Sequence, residues 1–173
     1  MSEIFFALLF FLPAGVSNVM PVFAAKIPFL KKFDYPVDSY KTIKGVRILG
    51  DHKTMRGFVT GIIGGMIALF VVQHFFHVYD SGKNLYLLGF LLSFGALGGD
   101  SVKSFFKRQF SIASGVSWVP FDQLDYILGA ILATVWYYPL SFYHYMLSLF
   151  LWVGIHLVST NIGYILKLKP SRI

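Results

Sequence analysis

Three carboxylates and a set of lysines and arginines recur in this sequence at spacings that bring them together. Asp100, Lys103, Ser104 and Lys107 follow the i, i+3, i+4, i+7 pattern that lines one face of an α-helix. Asp122 and Asp125, again three apart, share a face of a second helix. Carboxylates of this kind suit Mg²⁺, which takes one or two protein carboxylates and completes its shell with phosphate oxygens and water. Lysine and arginine neutralise phosphate oxygens directly. The two parts together suit phosphoryl or nucleotidyl transfer, where catalysis is mostly positioning and charge neutralisation. Carboxylates alone would fit a proton or cation pathway equally well. The purely structural alternative is helix-end capping with snorkelling lysines.

A second basic group lies in Arg47–Gly57, which reads R-I-L-G-D-H-K-T-M-R-G. Gly50 and Gly57 permit unusual backbone angles. Lys53, Thr54 and Arg56 can donate to phosphate, and a helix expected from Gly57 or Phe58 would add an N-terminus suited to anions. The Walker pattern G-x-x-x-x-G-K-[ST] is absent, and a merely basic juxtamembrane stretch is the competing reading. With no cysteine, disulfides, thiol nucleophiles and cysteine metal sites are excluded. No H-E-x-x-H spacing exists, and His74, His77 and His144 read as interfacial.

The elements that must position these groups are membrane helices. The chain is 56% hydrophobic and 13% charged, with mean hydropathy +0.66, against about 25% charged residues in soluble proteins. Residues Ile4–Ala25, Gly57–Tyr79, Asn84–Gly99 and Tyr126–Leu166 contain no Asp, Glu, Lys or Arg. The last run is divided by Pro139, which gives an all-α fold with five transmembrane helices at about 4–24, 57–78, 84–100, 124–140 and 143–166. The first run is read as a retained helix, bent or broken by Pro13 and Pro21, because no basic n-region precedes it. Every basic residue except Lys83 falls on one side of this arrangement. The positive-inside rule makes that side cytoplasmic, with the N-terminus outside and the C-terminus inside. The chain is expected to form one transmembrane domain over 1–173, with cytoplasmic loops 25–56 and 101–123. A net charge of +7 is then accounted for by topology and anionic headgroups, with no nucleic-acid partner required. Counting about 20 residues for a span places Asp100, Asp122 and Asp125 at the inner interface, where charges are costly and usually serve a site.

Other features read as packing. Gly57, Gly61 and Gly65 form a stripe for close helix approach. Gly95, Gly98 and Gly99 are similar, with Gly99 placed to admit a ligand beside Asp100. Trp136, Tyr137 and Tyr138 fit an aromatic belt, and His156 and Asn161 lie inside the last span. Asn161, toward the charged end, is a candidate substrate contact.

In register along nearly the whole chain stand N-V-M-P-V (Asn18–Val22), P-V-D (Pro36–Asp38), L-G-D-H-K-T-M-R-G (Leu49–Gly57), G-D-S-V-K-S-F-F-K-R (Gly99–Arg108) and P-F-D-Q-L-D (Pro120–Asp125). Together with the pattern from His156 through Asn161 to Leu168–Lys169, the chain resembles the CDP-archaeol synthases, which are related to phosphatidate cytidylyltransferases. The resemblance implies a multi-pass enzyme of the cell membrane with its active site facing the cytoplasm. It implies Mg²⁺-dependent transfer of CMP from CTP to a membrane lipid phosphate, naturally the unsaturated digeranylgeranylglyceryl phosphate, with release of pyrophosphate. Asp100, Asp122 and Asp125 are then the metal ligands, with Lys103 beside them in the catalytic group. Lys53, Arg56, Lys107 and Arg108 would bind the phosphates, with hydrogen bonds from Thr54, Ser104 and Gln123. Asn18 and Asp38 join the substrate-binding set through their motifs. One departure stands out: a glycine is expected after Asp38, where this chain has Ser39 and Tyr40. Two other readings stay open, an ester-lipid phosphatidate cytidylyltransferase and a small ion-coupled transporter. A CDP-alcohol phosphotransferase is disfavoured because D-x-x-D-G-x-x-A-R is absent.

Overall fold

Long apolar runs that cannot leave backbone groups unpaired in lipid must form helices, and the computed structural model is built of them. It describes residues 1–80, 82–113 and 116–165, with side chains through Asn161. Five helices appear: α1 (Glu3–Ala24), α2 (Met55–Phe76), α3 (Leu85–Gln109), α4 (Phe121–Thr134) and α5 (Phe142–Ile165). Ser2, Thr54 and Asn84 cap the first three, each side chain accepting a backbone N–H of the first turn. A short 3₁₀ segment (Pro28–Phe33) and an antiparallel ribbon pairing Thr42–Ile43 with Val46–Arg47 occupy the connection between α1 and α2. The expected purely helical chain therefore carries a small β element.

Four helices, α1, α2, α3 and α5, are long and apolar enough to cross a membrane. The expected fourth span, 124–140, does not form as one helix. α4 has 14 residues, about 21 Å of rise at 1.5 Å per residue, against a hydrocarbon core of about 30 Å. It unwinds ahead of Pro139, which disfavours helix in the residue before it. The amides of Tyr137 and Tyr138 both turn back to the Thr134 carbonyl. α3, by contrast, runs nine residues beyond its expected end, so Lys103, Lys107 and Arg108 are all helical. The basic tail residues Lys167, Lys169 and Arg172, and the Leu168–Lys169 end of the family pattern, lie outside the described residues.

α1 remains one helix although Pro13 and Pro21 are inside it. Proline removes the N–H that the carbonyl four residues earlier would have received. For Pro13 that carbonyl belongs to Leu9, and the buried Tyr79 hydroxyl lies 3.2 Å from it and 3.1 Å from the Phe10 carbonyl, supplying the missing donor. Ser17 Oγ donates to the Gly61 carbonyl at 2.8 Å, tying α1 to α2. Gly65 lies where a Cβ would come within 2.1 Å of Ser17 Oγ and 2.2 Å of Ser93 Oγ, so α1, α2 and α3 converge there. Phe10, Phe11, Leu69, Leu88, Leu92 and Ile127 fill the fully buried core.

α3 and α4 pack closest of all. A Cβ on Gly99 would fall 2.1 Å from the Asp125 carbonyl oxygen. A side chain at Gly99 is thus barred by the α4 backbone, while Gly99 itself lines a cavity between the two helices. The open glycine is its neighbour Gly98, around which a Cβ would meet nothing within 4 Å. Trp136 is 92% exposed and fits an aromatic belt. Tyr138 and Tyr137 hydroxyls instead accept the Asp80 and Asn84 amides, clamping the α2–α3 connection.

Candidate active site

Close α3–α4 packing brings the two acidic motifs face to face, and Lys103 fills the space between them. Its ammonium is 3.1 Å from Asp100, 2.9 Å from Asp122 and 2.6 Å from Asp125. Asp100 also pairs with Lys53, which reaches in from the α1–α2 connection. Lys107 lies 3.1 Å from Asp122 and donates to the Val116 carbonyl at 2.5 Å. Asp122 further accepts the Trp118 amide at 2.6 Å, which holds the α3–α4 connection against the site. Three carboxylates and three ammonium groups thus form one network at the end of the bundle where the basic residues collect.

The loop bearing Lys53 is built around Asp38. This carboxylate accepts Arg47 through Nη2 at 2.7 Å and Nε at 3.3 Å, and the amides of Tyr40, Leu49 and Gly50. Its side chain is 1% exposed. Burial alone would raise its pKa, but Arg47 and the two amides of Leu49 and Gly50 outweigh that and hold it down at about 2. Asp38 is therefore spent on loop architecture and lines none of the described cavities. The expected glycine after it has a physical basis, since Ser39 and Tyr40 adopt left-handed backbone at φ 49° and 61°. Thr54 is likewise committed as the α2 cap, accepting the Gly57 amide at 3.2 Å, and this starts α2 two residues earlier than expected.

Three cavities surround this network. A polar one of about 280 Å³ is lined by Arg47, Gly50, Lys53, Ser104, Lys107 and Arg108, with Asp100 and Lys103. A second, of about 740 Å³, shares Asp51, His52, Lys53 and Asp100 with the first and adds Asn18, Lys26, Lys31, Thr54 and Arg56. The Arg56 side chain is 7% exposed and pairs with Asp34 at 3.2 Å. Its Nε and Nη1 have no hydrogen-bond partner in the protein, an arrangement that calls for an anion. The third cavity is an apolar groove of about 820 Å³ between α3 and α4.

The fold thus gathers Asn18, Lys53, Thr54, Arg56, Asp100, Lys103, Ser104, Lys107 and Arg108 along the two polar cavities, with Asp122 and Asp125 bonded to Lys103. Gln123 is buried in α4 with an unpartnered Oε1 and lines none of the three cavities. Asn161 donates to the Leu157 carbonyl within α5 and is not brought to the site. Sequence reasoning gave no site role to Arg47 or His52, which line the polar cavities. Their membership of the R-I-L-G-D-H stretch was the available signal.

Among the described residues, no group of three or more acidic or histidine side chains is arranged to hold a metal unaided. The donor set nonetheless suits a hard divalent cation, because three carboxylates already converge on one positive charge, that of Lys103. Such an ion would draw its remaining ligands from substrate phosphate and water.

Residues 1–172 match the family model described as CarS-like, CDP-archaeol synthase. The chain is 32% identical over 168 residues to the CDP-archaeol synthase of Sulfurisphaera tokodaii, covering 96% of this chain and 94% of that one. It is 40% identical over 135 residues to that of Thermococcus gammatolerans, covering 76% and 74% respectively. A solved structure of an intramembrane enzyme for archaeal membrane lipid biosynthesis superimposes with a TM-score of 0.75 at 29% identity, over 88% of this chain and 91% of that one.

Proposed function

The chain belongs to the CDP-archaeol synthase family, and on that premise we propose how it carries out CTP-dependent cytidylyl transfer to archaetidic acid. The observation that carries the reading is the convergence of Asp100, Asp122 and Asp125 on Lys103, with polar cavities to one side and an apolar groove to the other. CTP occupies the two connected polar cavities, its phosphates held by Lys53, Lys107 and Arg108, with the Ser104 hydroxyl and the unpaired nitrogens of Arg56 as further donors. The positive-inside pattern makes the charged end cytoplasmic, so CTP enters from the cytoplasm of a multi-pass protein in the cell membrane.

The nucleophile is an oxygen of the lipid phosphate, already ionised at neutral pH, so no general base is needed. It forms a bond to the α-phosphorus of CTP while the bond to the bridging oxygen of pyrophosphate breaks, that oxygen leaving with the electron pair. The barrier is repulsion between two anions, and Lys53, Lys103 and Lys107 lower it by concentrating positive charge where the phosphates meet. Asp100, Asp122 and Asp125 would hold Mg²⁺, whose contribution is to template both phosphates and stabilise the departing oxygens. Lys103 gives up part of its carboxylate contacts to substrate phosphate as the site fills. The lipid is the unsaturated digeranylgeranylglyceryl phosphate.

Pyrophosphate release by purified protein tests this, with CTP, Mg²⁺ and a panel of lipid phosphates, with and without EDTA. EDTA-sensitive release with the unsaturated prenyl-ether phosphate, and slower release with its saturated form and with phosphatidate, is expected. Preferred use of phosphatidate would keep the chemistry and reassign the lipid. No release with any lipid phosphate would overturn the reading.

A further inference from the structure

We propose that residues 26–35, between α1 and α2, dock on the anionic lipid surface at the charged end of the bundle, with Phe29 and Phe33 inserted among the lipids and Lys32 on their phosphates. This docking goes beyond the proposed reaction and does not depend on it. α1 has 22 residues, about 33 Å of rise at 1.5 Å per residue, which matches a hydrocarbon core of about 30 Å. Its end at Ala24 therefore stands at the lipid headgroups, and the 3₁₀ segment starts four residues later at Pro28. The far end is fixed to the start of α2, where the Met55 amide donates to the Tyr35 carbonyl at 2.7 Å and Arg56 pairs with Asp34 at 3.2 Å. Gly57 of α2 packs beside Pro21 of α1, so both ends of the segment are held at headgroup depth.

The chemistry of the segment fits that surface. It buries none of its residues against the protein, although Phe29 is 67% exposed and Phe33 49%. These rings follow directly on the exposed Phe23 of α1 and on Ile27, so apolar surface runs from the membrane helix into the segment. Lys32 Nζ lies 4.0 Å from the Phe29 ring centroid and 5.0 Å from that of Phe33, which joins two rings and one ammonium in a single patch. Rings of this kind settle at the boundary of headgroups and acyl chains, while a lysine beside them pairs with anionic headgroups. Lys31 and Asp34 line the second polar cavity, whereas Phe29, Lys32 and Phe33 line none of the three. The segment thus has a cavity side and a lipid side.

The test uses full-length protein in nanodiscs of phosphatidylcholine, alone or with phosphatidylglycerol added. Amide hydrogen exchange across residues 27–34 should be at least about fivefold slower in the anionic discs. Lys32→Glu should abolish that difference while leaving pyrophosphate release in detergent unchanged. The chain has no cysteine, so Phe29→Cys and Phe33→Cys can each carry a single fluorophore. In anionic discs a nitroxide-bearing lipid should quench both labels, and aqueous acrylamide should quench neither. Equal exchange in the two discs would overturn docking on anionic lipid, as would acrylamide quenching of both labels with none by the nitroxide lipid. Loss of pyrophosphate release in detergent by Lys32→Glu would place Lys32 in the reaction and overturn its lipid role. Exchange and quenching are read without CTP, so they decide the proposal even if the wild-type protein releases no pyrophosphate.

Discussion

Lys103 Nζ stands 2.6 Å from Asp125 Oδ2, a charge pair that bridges α3 and α4 at their closest approach. Lys103→Met keeps the stem and removes the charge. It leaves three carboxylates facing one another, with only Lys53 and Lys107 still paired to two of them. Its kcat is expected to fall by about 10²–10³-fold, as is that of Asp125→Asn. Single-turnover pyrophosphate release separates this loss of chemistry from loss of substrate binding. Full activity in either variant would remove that residue from the reacting centre.

Arg56 is buried with two nitrogens unpartnered. A buried charge with incomplete hydrogen bonding costs stability until its partner arrives. Arg56→Met is therefore expected to leave the thermal midpoint of the free protein unchanged or raised, while the midpoint increase caused by CTP shrinks. Arg56→Lys should not restore that increase, because one ammonium cannot replace two directed guanidinium nitrogens. A lowered midpoint without nucleotide and an unchanged nucleotide response would make Arg56 structural.

Ser39 is exposed and left-handed, at φ 49°. Left-handed backbone costs a residue with a Cβ about 1–2 kcal/mol, partly offset by the greater freedom of glycine in the unfolded chain. Ser39→Gly should raise stability by up to about 1 kcal/mol, read as a higher thermal midpoint with unchanged kcat.

Asp38 has a folded pKa of about 2, below its ordinary value of 3.8. A depressed carboxylate stabilises the fold above the unfolded pKa, and that contribution is lost as pH falls through the folded one. The loop should therefore hold above about pH 4 and loosen as pH approaches 2. Hydrogen exchange at the Leu49 and Gly50 amides, corrected for intrinsic rates, should show protection falling across that window. Asp38→Asn should show weaker protection at pH 6 and little further loss on acidification.

Much of the site was legible because helical spacing is rigid. The i, i+3, i+4, i+7 series from Asp100 to Lys107 fixed one face, and the Asp122–Asp125 pair fixed another. What spacing along one helix does not encode is the partner across an interface. Tyr79 reaching the carbonyl freed by Pro13, some 70 residues away in sequence, could be anticipated only as a need for some donor. The same limit hid the unlike fates of adjacent glycines: Gly99 faces α4 backbone and Gly98 faces open space, a difference set by helix rotation. The end of α4 was misread because an uncharged run gives hydropathy without helix length. For Asp38 the motif did not encode its partners within the loop, the Arg47 guanidinium and the Leu49 and Gly50 amides.

The shortness of α4 bears on where the reaction happens relative to the bilayer. α3 reaches Asp100 fifteen residues after its start at Leu85, about 23 Å of rise, less than the roughly 30 Å of a hydrocarbon core. A short α4 beginning at Phe121 keeps its two carboxylates at that same depth. With Leu85 at the outer edge of the core, the site proposed above is recessed below the membrane surface, and the soluble nucleotide would descend to a lipid that stays where it is. No tail has to be drawn into water, which would cost about 0.8 kcal/mol for each CH₂ exposed, and the product is released already in its leaflet.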